Sequence, residues 1–220
     1  MGKIIAIDGP AGSGKSSTAR EVAKRLNYVY VDTGAMYRAV TLKVIEKNID
    51  IKDEEQIADE ARNLNINFKW INDQHHTFLG DRDISIAIRT KEVADLVSPV
   101  SVIPAVREHL ADLQRKMGDT QNIVMEGRDI GTNVFPDADF KFFMIADVYV
   151  RAKRRINDYR KVGQEIDIEE IAAEIRKRDK IDSSRSHSPL KKAQDAIEID
   201  TSALKFEKQV EMIIDKIRNG

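Results

Sequence analysis

The sequence predicts an α/β fold in which helices flank a five-stranded parallel sheet, with a small antiparallel β insert and a helical lid. Three observations support this class. Short apolar runs recur at wide spacing, helical periodicity lies between them, and a glycine-rich loop follows the first run. The 220 residues suffice for one domain with a single principal core.

Five continuous apolar runs are predicted to form the parallel strands. Continuous runs, rather than alternating ones, are typical of strands buried on both faces. The runs are Ile4–Asp8, Tyr28–Asp32, Asn122–Glu126, Phe140–Ala146 and Ala196–Asp200.

Helical periodicity appears after the first run and at the C-terminal end. Ala19, Val22, Ala23 and Leu26 follow the i, i+3, i+4, i+7 pattern. A second stripe is expected to cover the sheet, and it comprises Phe206, Val210, Ile213, Ile214 and Ile217.

Two segments depart from the alternation of strands and helices. Residues 66–85 read as short alternating strands with turn residues at 72–73 and 80–81, which predicts an antiparallel insert. Residues 147–189 are helical in pattern, highly charged and poor in apolar anchors, so we expect a mobile lid there. The core is then predicted at 1–59, 91–146 and 190–220, with the insert at 60–90.

Composition excludes several classes of function. Thirty-six basic and 37 acidic residues give a net charge of −1, so no general positive field would attract nucleic acid or a membrane. The absence of cysteine excludes disulfides and cysteine-ligated metals. No secretion signal is evident, and the longest apolar runs are far too short to cross a bilayer. We expect a soluble cytoplasmic monomer with small-molecule substrates and neither nucleic-acid nor membrane partners.

The loop after the first strand carries the strongest motif. Gly9-Pro10-Ala11-Gly12-Ser13-Gly14-Lys15-Ser16 matches G-x-x-x-x-G-K-[ST], and it lies between a predicted strand and a predicted helix. In this arrangement backbone N–H groups and the helix N-terminus face phosphates. Lys15 would reach the β- and γ-phosphates of ATP, and the Ser16 hydroxyl would ligate Mg²⁺. Ser17 completes the predicted ATP-binding set.

A second constellation follows the next two strands. Arg38 in VDTGAMYR and Arg128 in MEGRDIGT should both leave the carboxyl edge of the sheet, where ligands bind. Two guanidinium groups there would suit a second phosphate. Taken alone, Arg128 could instead pair with Asp129 at the surface. Asp8 and Asp32 could hold waters of Mg²⁺ or could cap loops.

A phosphate loop by itself indicates a bound nucleoside triphosphate and not a particular reaction. The guanine-reading N-K-x-D and the D-x-x-G of GTP switches do not occur in the sequence. A kinase acting on another nucleotide or on a polyol such as shikimate stays open, as does a regulatory module that binds ATP without transferring phosphate.

The chain resembles the bacterial cytidylate kinase family, which would make the core a P-loop kinase core. The blocks that carry the resemblance are GPAGSGKS, DTGAMYR, RTKEV with VRE, GRDIGT and SRSHSPL, and they run nearly from end to end. The resemblance implies ATP-dependent phosphorylation of CMP and dCMP, with the insert enlarging the monophosphate-binding domain.

The resemblance also implies roles for particular residues. Thr33 and Asp129 would hold the sugar hydroxyls, and Ser98 and Arg107 would read the cytosine edge. The acceptor phosphate would be surrounded by Arg38, Arg128 and Arg185. Arg178 and Arg185 would contact the transferring phosphoryl group, so the catalytic set is Lys15, Arg128, Arg178 and Arg185. One position departs from the family, because Glu126 stands where an aspartate is usual.

Overall fold

The computed structural model describes residues 2–160 and 166–219. These residues form two compact units, one made of the described residues up to 30 and from 118 onwards, and the other of residues 31–117. Residues 161–165, which belong to the predicted lid, lie outside the described residues. Among the described residues, no helix is both long enough and apolar enough to span a membrane.

The predicted parallel sheet is confirmed, with all five strands at the expected runs. They are β1 (Ile4–Asp8), β2 (Val29–Asp32), β6 (Ile123–Gly127), β7 (Phe140–Ile145) and β8 (Ile197–Asp200), in the order β2-β6-β1-β7-β8. β1 is central, since it pairs in parallel with β6 on one side and with β7 on the other. All five residues of β1 and of β6 are buried, which explains why their sequences are continuous apolar runs.

Four helices accompany this sheet in the first unit. They are α1 (Lys15–Leu26), α6 (Val148–Arg160), α7 (Ile168–Ser184) and α8 (Phe206–Asn219). α8 buries Val210, Ile213, Ile214 and Ile217 as the periodicity predicts, but Phe206, at the first position of the helix, is 46% exposed. A separate apolar cluster joins α6 and α7 through residues such as Ile156, Ile171 and Ile175.

The second unit contains the predicted antiparallel insert, which is confirmed. β3 (Ile66–Ile71), β4 (Gln74–Leu79) and β5 (Arg82–Asp83) pair in that order. Asn72 and Asp73 adopt positive φ values of 48° and 62°, so the two-residue turn has the backbone twist that suits a tight hairpin. The helices of this unit are α2 (Thr33–Glu46), α3 (Glu54–Arg62), α4 (Lys91–Val102) and α5 (Pro104–Gly118).

Candidate active site

The glycine-rich loop joins β1 to α1, as the motif predicts. A Cβ placed on Gly9 would lie 2.2 Å from the carbonyl oxygen of Met144, so only glycine allows the loop to approach β7 this closely. Gly14, the residue before α1, has φ 91° and offers no capping side chain, and the first turn of α1 contains no acidic residue. The N-terminus of α1 therefore presents its dipole and backbone donors without a competing carboxylate nearby in sequence, which suits an anion.

Lys15 and Ser16 meet at one buried carboxylate, that of Glu126. Ser16 Oγ donates a 2.6 Å hydrogen bond to Glu126 Oε1, and Lys15 Nζ lies 3.6 Å from Glu126 Oε2. Tyr30 donates a longer bond, 3.5 Å, to the same Oε1. Lys15 and Glu126 are 5% and 4% exposed, so solvent screens their interaction little. Lys15, which is predicted to contact the triphosphate, and Ser16, which is predicted to bind the metal, therefore both interact with the carboxylate of Glu126.

Asp8, at the end of β1, caps a loop. Its two carboxylate oxygens accept hydrogen bonds from the N–H groups of Ile130, at 3.0 Å, and Gly131, at 2.8 Å. Burial raises the pKa of Asp8 to about 7, although these two donors and Lys15 act in the opposite direction. These two hydrogen bonds are those of a loop cap, which is one of the roles expected for Asp8. They hold the turn that directly follows Asp129.

Arg128 pairs with a carboxylate of α7. Arg128 Nε donates a 2.8 Å hydrogen bond to Asp182 Oδ2, and Arg185 Nη1 lies 3.8 Å from Asp182 Oδ1. Burial alone would raise the pKa of Asp182, but the positive charges of Arg128, Arg178 and Arg185 lower it below its ordinary value. Arg185 Nη2 also lies 3.5 Å from Asp129 Oδ1. Three of the four predicted catalytic residues therefore surround Asp182.

Arginines of α6 contact the phosphate loop through its carbonyl groups. Arg151 Nη1 donates to Ala11 O at 3.2 Å, and its Nη2 lies 2.7 Å from Asp179 Oδ2 on α7. Arg154 donates to Gly12 O at 3.3 Å and to Thr201 O at 2.7 Å. The loop is thus bound to α6 and to the residue after β8 by side chains that the motif does not contain.

In the second unit, the start of α2 places Thr33 and Arg38 around Asp32. The Asp32 side chain caps the helix by accepting from Ala35 N at 2.8 Å, and its Oδ2 accepts from Arg38 Nη2 at 3.1 Å. Thr33 is buried. A Cβ on Gly34 would lie 3.0 Å from Arg38 Nη1, so the glycine leaves room for the guanidinium. Arg38 and Arg128 belong to different units, and their predicted convergence on one acceptor stays a prediction.

The two predicted base-reading residues lie on neighbouring helices of the second unit and are connected through Ser101. Ser98 lies within α4, beside Pro99, and its carbonyl oxygen accepts from Ser101 Oγ at 2.9 Å. Arg107, on α5, is 5% exposed and donates from Nη1 to the Ser101 carbonyl oxygen at 3.2 Å. Both residues therefore hydrogen-bond to Ser101, Ser98 through its backbone carbonyl and Arg107 through its guanidinium.

Several residues of these arrangements had no distinguishing signal in the sequence. Asp182 is one of many charged residues in its segment, and Arg151 and Arg154 look like ordinary members of a basic helix. Thr201 follows β8 directly, a position at the carboxyl edge of the sheet that could have marked it. Glu126 does have a signal in the sequence, because it stands where the family usually has an aspartate.

The parallel sheet and the glycine-rich loop between β1 and α1 define a phosphate-loop nucleotide-binding protein. Among solved structures, the shikimate kinase from Bacteroides thetaiotaomicron superposes with a TM-score of 0.50 at 13% identity, covering 98% of each chain. A gluconokinase from Sinorhizobium meliloti also gives 0.50 at 12% identity, covering 99% of this chain and 92% of its own. Likeness at this low identity concerns the fold alone.

Sequence comparison is much more specific. A sequence profile of the cytidylate kinase family matches residues 5–219. The cytidylate kinase of Acholeplasma laidlawii is 50% identical over 216 residues, which are 98% of this chain and 95% of that protein. That of Caldanaerobacter subterraneus is 49% identical with the same coverage. The chain belongs to the cytidylate kinase family, and the resemblance inferred from the motifs is confirmed. Membership makes it a transferase of the kinase type.

Proposed function

We propose that this protein transfers the γ-phosphoryl group of ATP to CMP and dCMP, giving CDP and dCDP. The observation that carries the proposal is the meeting of Lys15 and Ser16 at the start of α1, in a chain that belongs to the cytidylate kinase family along almost its whole length. The reaction serves pyrimidine nucleotide metabolism, and we expect a monomer working in the cytoplasm.

The phosphate loop would bind the triphosphate of ATP. Backbone N–H groups of residues 9–17 and the N-terminus of α1 would contact its oxygens, and Lys15 would leave Glu126 for the β- and γ-phosphates. Glu126 keeps the ammonium group in place until then, since the 3.6 Å contact is buried on both sides. This arrangement limits the reorganisation that substrate binding demands of the lysine.

Mg²⁺ is the metal that this reaction requires by its chemistry. Ser16 Oγ and the carboxylate of Glu126 lie 2.6 Å apart, and oxygen donors of this kind suit a hard divalent cation. Ser16 would be its protein ligand, with phosphate oxygens completing the coordination. When bound, the metal neutralises charge on the β- and γ-phosphates.

The arginines around Asp182 would supply positive charge to the acceptor phosphate and the transferring group. Phosphoryl transfer depends on in-line positioning and on charge held over a loosely bonded phosphoryl group. Arg128 and Arg185 form ion pairs with Asp182, and the charge of Arg178 also acts on this carboxylate. No general base is needed, because a phosphate monoester with a second pKa near 6 is largely ionised at pH 7.

Recognition of the acceptor nucleotide is assigned to residues of the family motifs. Thr33 and Asp129 would bind the sugar hydroxyls, and Arg38 would join the arginines on the phosphate. Ser98 and Arg107 would read cytosine, which presents O2 and N3 as acceptors and its N4 amino group as a donor. Uracil has a donor at N3 and an acceptor at position 4, so it would leave polar groups mispaired at a cost of roughly 1–3 kcal/mol each.

The test is ADP release measured by a coupled assay with MgATP and CMP, dCMP, UMP, dTMP, AMP or shikimate as acceptor. We expect turnover of about 1–100 s⁻¹ on CMP and dCMP, with UMP far behind. Strong turnover on another acceptor would support the assignment as a phosphate-loop kinase but would refute CMP and dCMP as its substrates. Absence of ADP release with every acceptor would point instead to a nucleotide-binding module.

A further inference from the structure

The guanidinium group of Arg107 is buried among three helices of the second unit. Arg107 projects from α5 and donates to the Ser101 carbonyl of α4 at 3.2 Å. The Cζ atom of Arg107 also lies 5.4 Å from the centre of the Tyr37 ring, which α2 contributes. A guanidinium within about 6 Å of an aromatic ring is attracted by the negative face of that ring.

Burial strengthens this contact. Arg107 is only 5% exposed, so water competes little for its charge, and cation–π attraction is larger at desolvated sites than at exposed ones. Arginine also has a long side chain with several rotatable bonds, and a fixed ring on one side restricts its rotamers. The Tyr37 ring and the Ser101 carbonyl together therefore orient the plane of the guanidinium.

Tyr37 itself is anchored by the helix that carries it. Its backbone carbonyl accepts a 2.9 Å hydrogen bond from Thr41 Oγ1, one turn further along α2. It directly precedes Arg38, which is paired with Asp32 at the start of the same helix. The ring is thus carried by the first turns of α2, next to the Arg38–Asp32 pair.

We propose that Tyr37 is a specificity-determining positioning residue, whose ring orients the Arg107 guanidinium so that its N–H groups meet O2 and N3 of cytosine. This inference rests on the proposed function, because it requires that Arg107 reads the base. Two N–H donors held in this orientation disfavour the binding of uracil, because N3 of uracil is itself a donor. A loosely held guanidinium could turn away from that donor and would discriminate less.

The test compares Tyr37→Leu, which removes the ring, with Tyr37→Phe, which keeps it. The measured quantity is the ratio of kcat/KM for CMP to kcat/KM for UMP. We expect Tyr37→Leu to lower this ratio about 5- to 30-fold, mainly through a higher KM for CMP, and Tyr37→Phe to preserve it. The backbone carbonyl of Ser101 is present in every variant, and the comparison of Tyr37→Leu with Tyr37→Phe separates the effect of the ring from that of the hydroxyl.

Two results would overturn the inference: an unchanged ratio in Tyr37→Leu, or an equal loss in Tyr37→Phe, which would assign the effect to the hydroxyl. A general structural role would lower the melting temperature without moving the ratio. If Tyr37→Leu does not fold, Tyr37→Met, which fills the space without a π face, replaces it.

Calorimetric titration with CMP and with UMP separates this inference from the proposed function. If the wild-type protein turns over neither nucleotide, the proposed function fails, while the CMP-over-UMP affinity of the variants still tests Tyr37. A wild-type protein that binds neither nucleotide would overturn both.

Discussion

Arg128 Nε donates a 2.8 Å hydrogen bond to Asp182 Oδ2 across 54 residues of sequence, between the residue after β6 and the last turns of α7. Both side chains are largely buried, at 17% and 9% exposure. Two further arginines, Arg178 and Arg185, contribute to lowering the pKa of the same carboxylate. The carboxylate of Asp182 thus lies within the positive field of three arginines.

Asp182→Asn should lower both stability and turnover. The amide keeps the shape but removes the negative charge that Arg128, Arg178 and Arg185 share, so the repulsion among these guanidinium groups increases. We expect a loss of roughly 1–3 kcal/mol in the free energy of unfolding, measured by urea titration, and a clear fall in kcat. Glu174→Gln is the matched control on α7, because it breaks only the exposed 4.0 Å contact with Arg155. Equal effects of the two variants would contradict the role given to Asp182.

Lys15→Ala should abolish most phosphoryl transfer. The ammonium group is the cation supplied by the loop itself, and removal of one preorganised charge donor reduces kcat by about 10²–10³-fold. Lys24→Ala, a change in an exposed residue of α1, serves as the control in the coupled ADP assay. Wild-type turnover in Lys15→Ala would exclude the assigned role of the loop.

Arg178→Ala and Arg185→Ala should each reduce kcat by about 10²–10³-fold, because each removes positive charge proposed to act on the transferring phosphoryl group. Arg176→Ala is the control on the same helix, since its guanidinium lies 5.3 Å from the ring centre of Tyr149 and the residue is exposed. Steady-state kinetics with saturating ATP and CMP would measure the effect. If both variants kept wild-type rates, these arginines would have no part in catalysis.

Asp8 should make stability depend on pH. Its pKa of about 7 in the folded state exceeds the ordinary value of 3.8, so between these values the folded protein holds more protons than the unfolded chain. The contribution to stability is therefore full below about pH 4 and is lost as the pH rises to about 7, by up to about 4 kcal/mol. Thermal unfolding of Asp8→Asn should show a shallower fall between pH 5 and pH 7.5 than the wild type.

Asp137→Asn, at an exposed carboxylate, controls for the loss of one acidic group in this pH series. Since Asp8→Asn also disturbs the bonds to Ile130 and Gly131, the slope with pH is compared rather than the melting temperature itself. Parallel curves for Asp8→Asn and the wild type would show that Asp8 does not titrate in this range.

Gly34→Ala should weaken acceptor binding without unfolding the protein. The new Cβ would lie 3.0 Å from Arg38 Nη1 and 3.1 Å from Asp32 Oδ1, so the guanidinium must shift by a few tenths of an ångström. Alanine also favours the helix by about 0.5–1 kcal/mol over glycine. We expect a several-fold higher KM for CMP with an equal or higher melting temperature. An unchanged KM would indicate that the position of Arg38 is not critical.

The elements with local signals could be predicted from the sequence. Continuous apolar runs predicted all five parallel strands, turn residues predicted the insert, and the spacing of glycines and Lys15 predicted the loop that joins β1 to α1. These signals depend on neighbours a few residues apart, where sterics and burial impose a regular pattern. Family motifs added the candidate residues, but not their contacts.

The partners of these residues depend on tertiary packing and could not be predicted. Ser16 meets Glu126 across 110 residues, and the Arg107 guanidinium faces the ring of Tyr37 on another helix. Nothing near Asp182 in the sequence distinguishes it from the other acidic residues of its segment. The partner of a charged residue depends on which side chains the packing buries together, because a buried charge requires a partner.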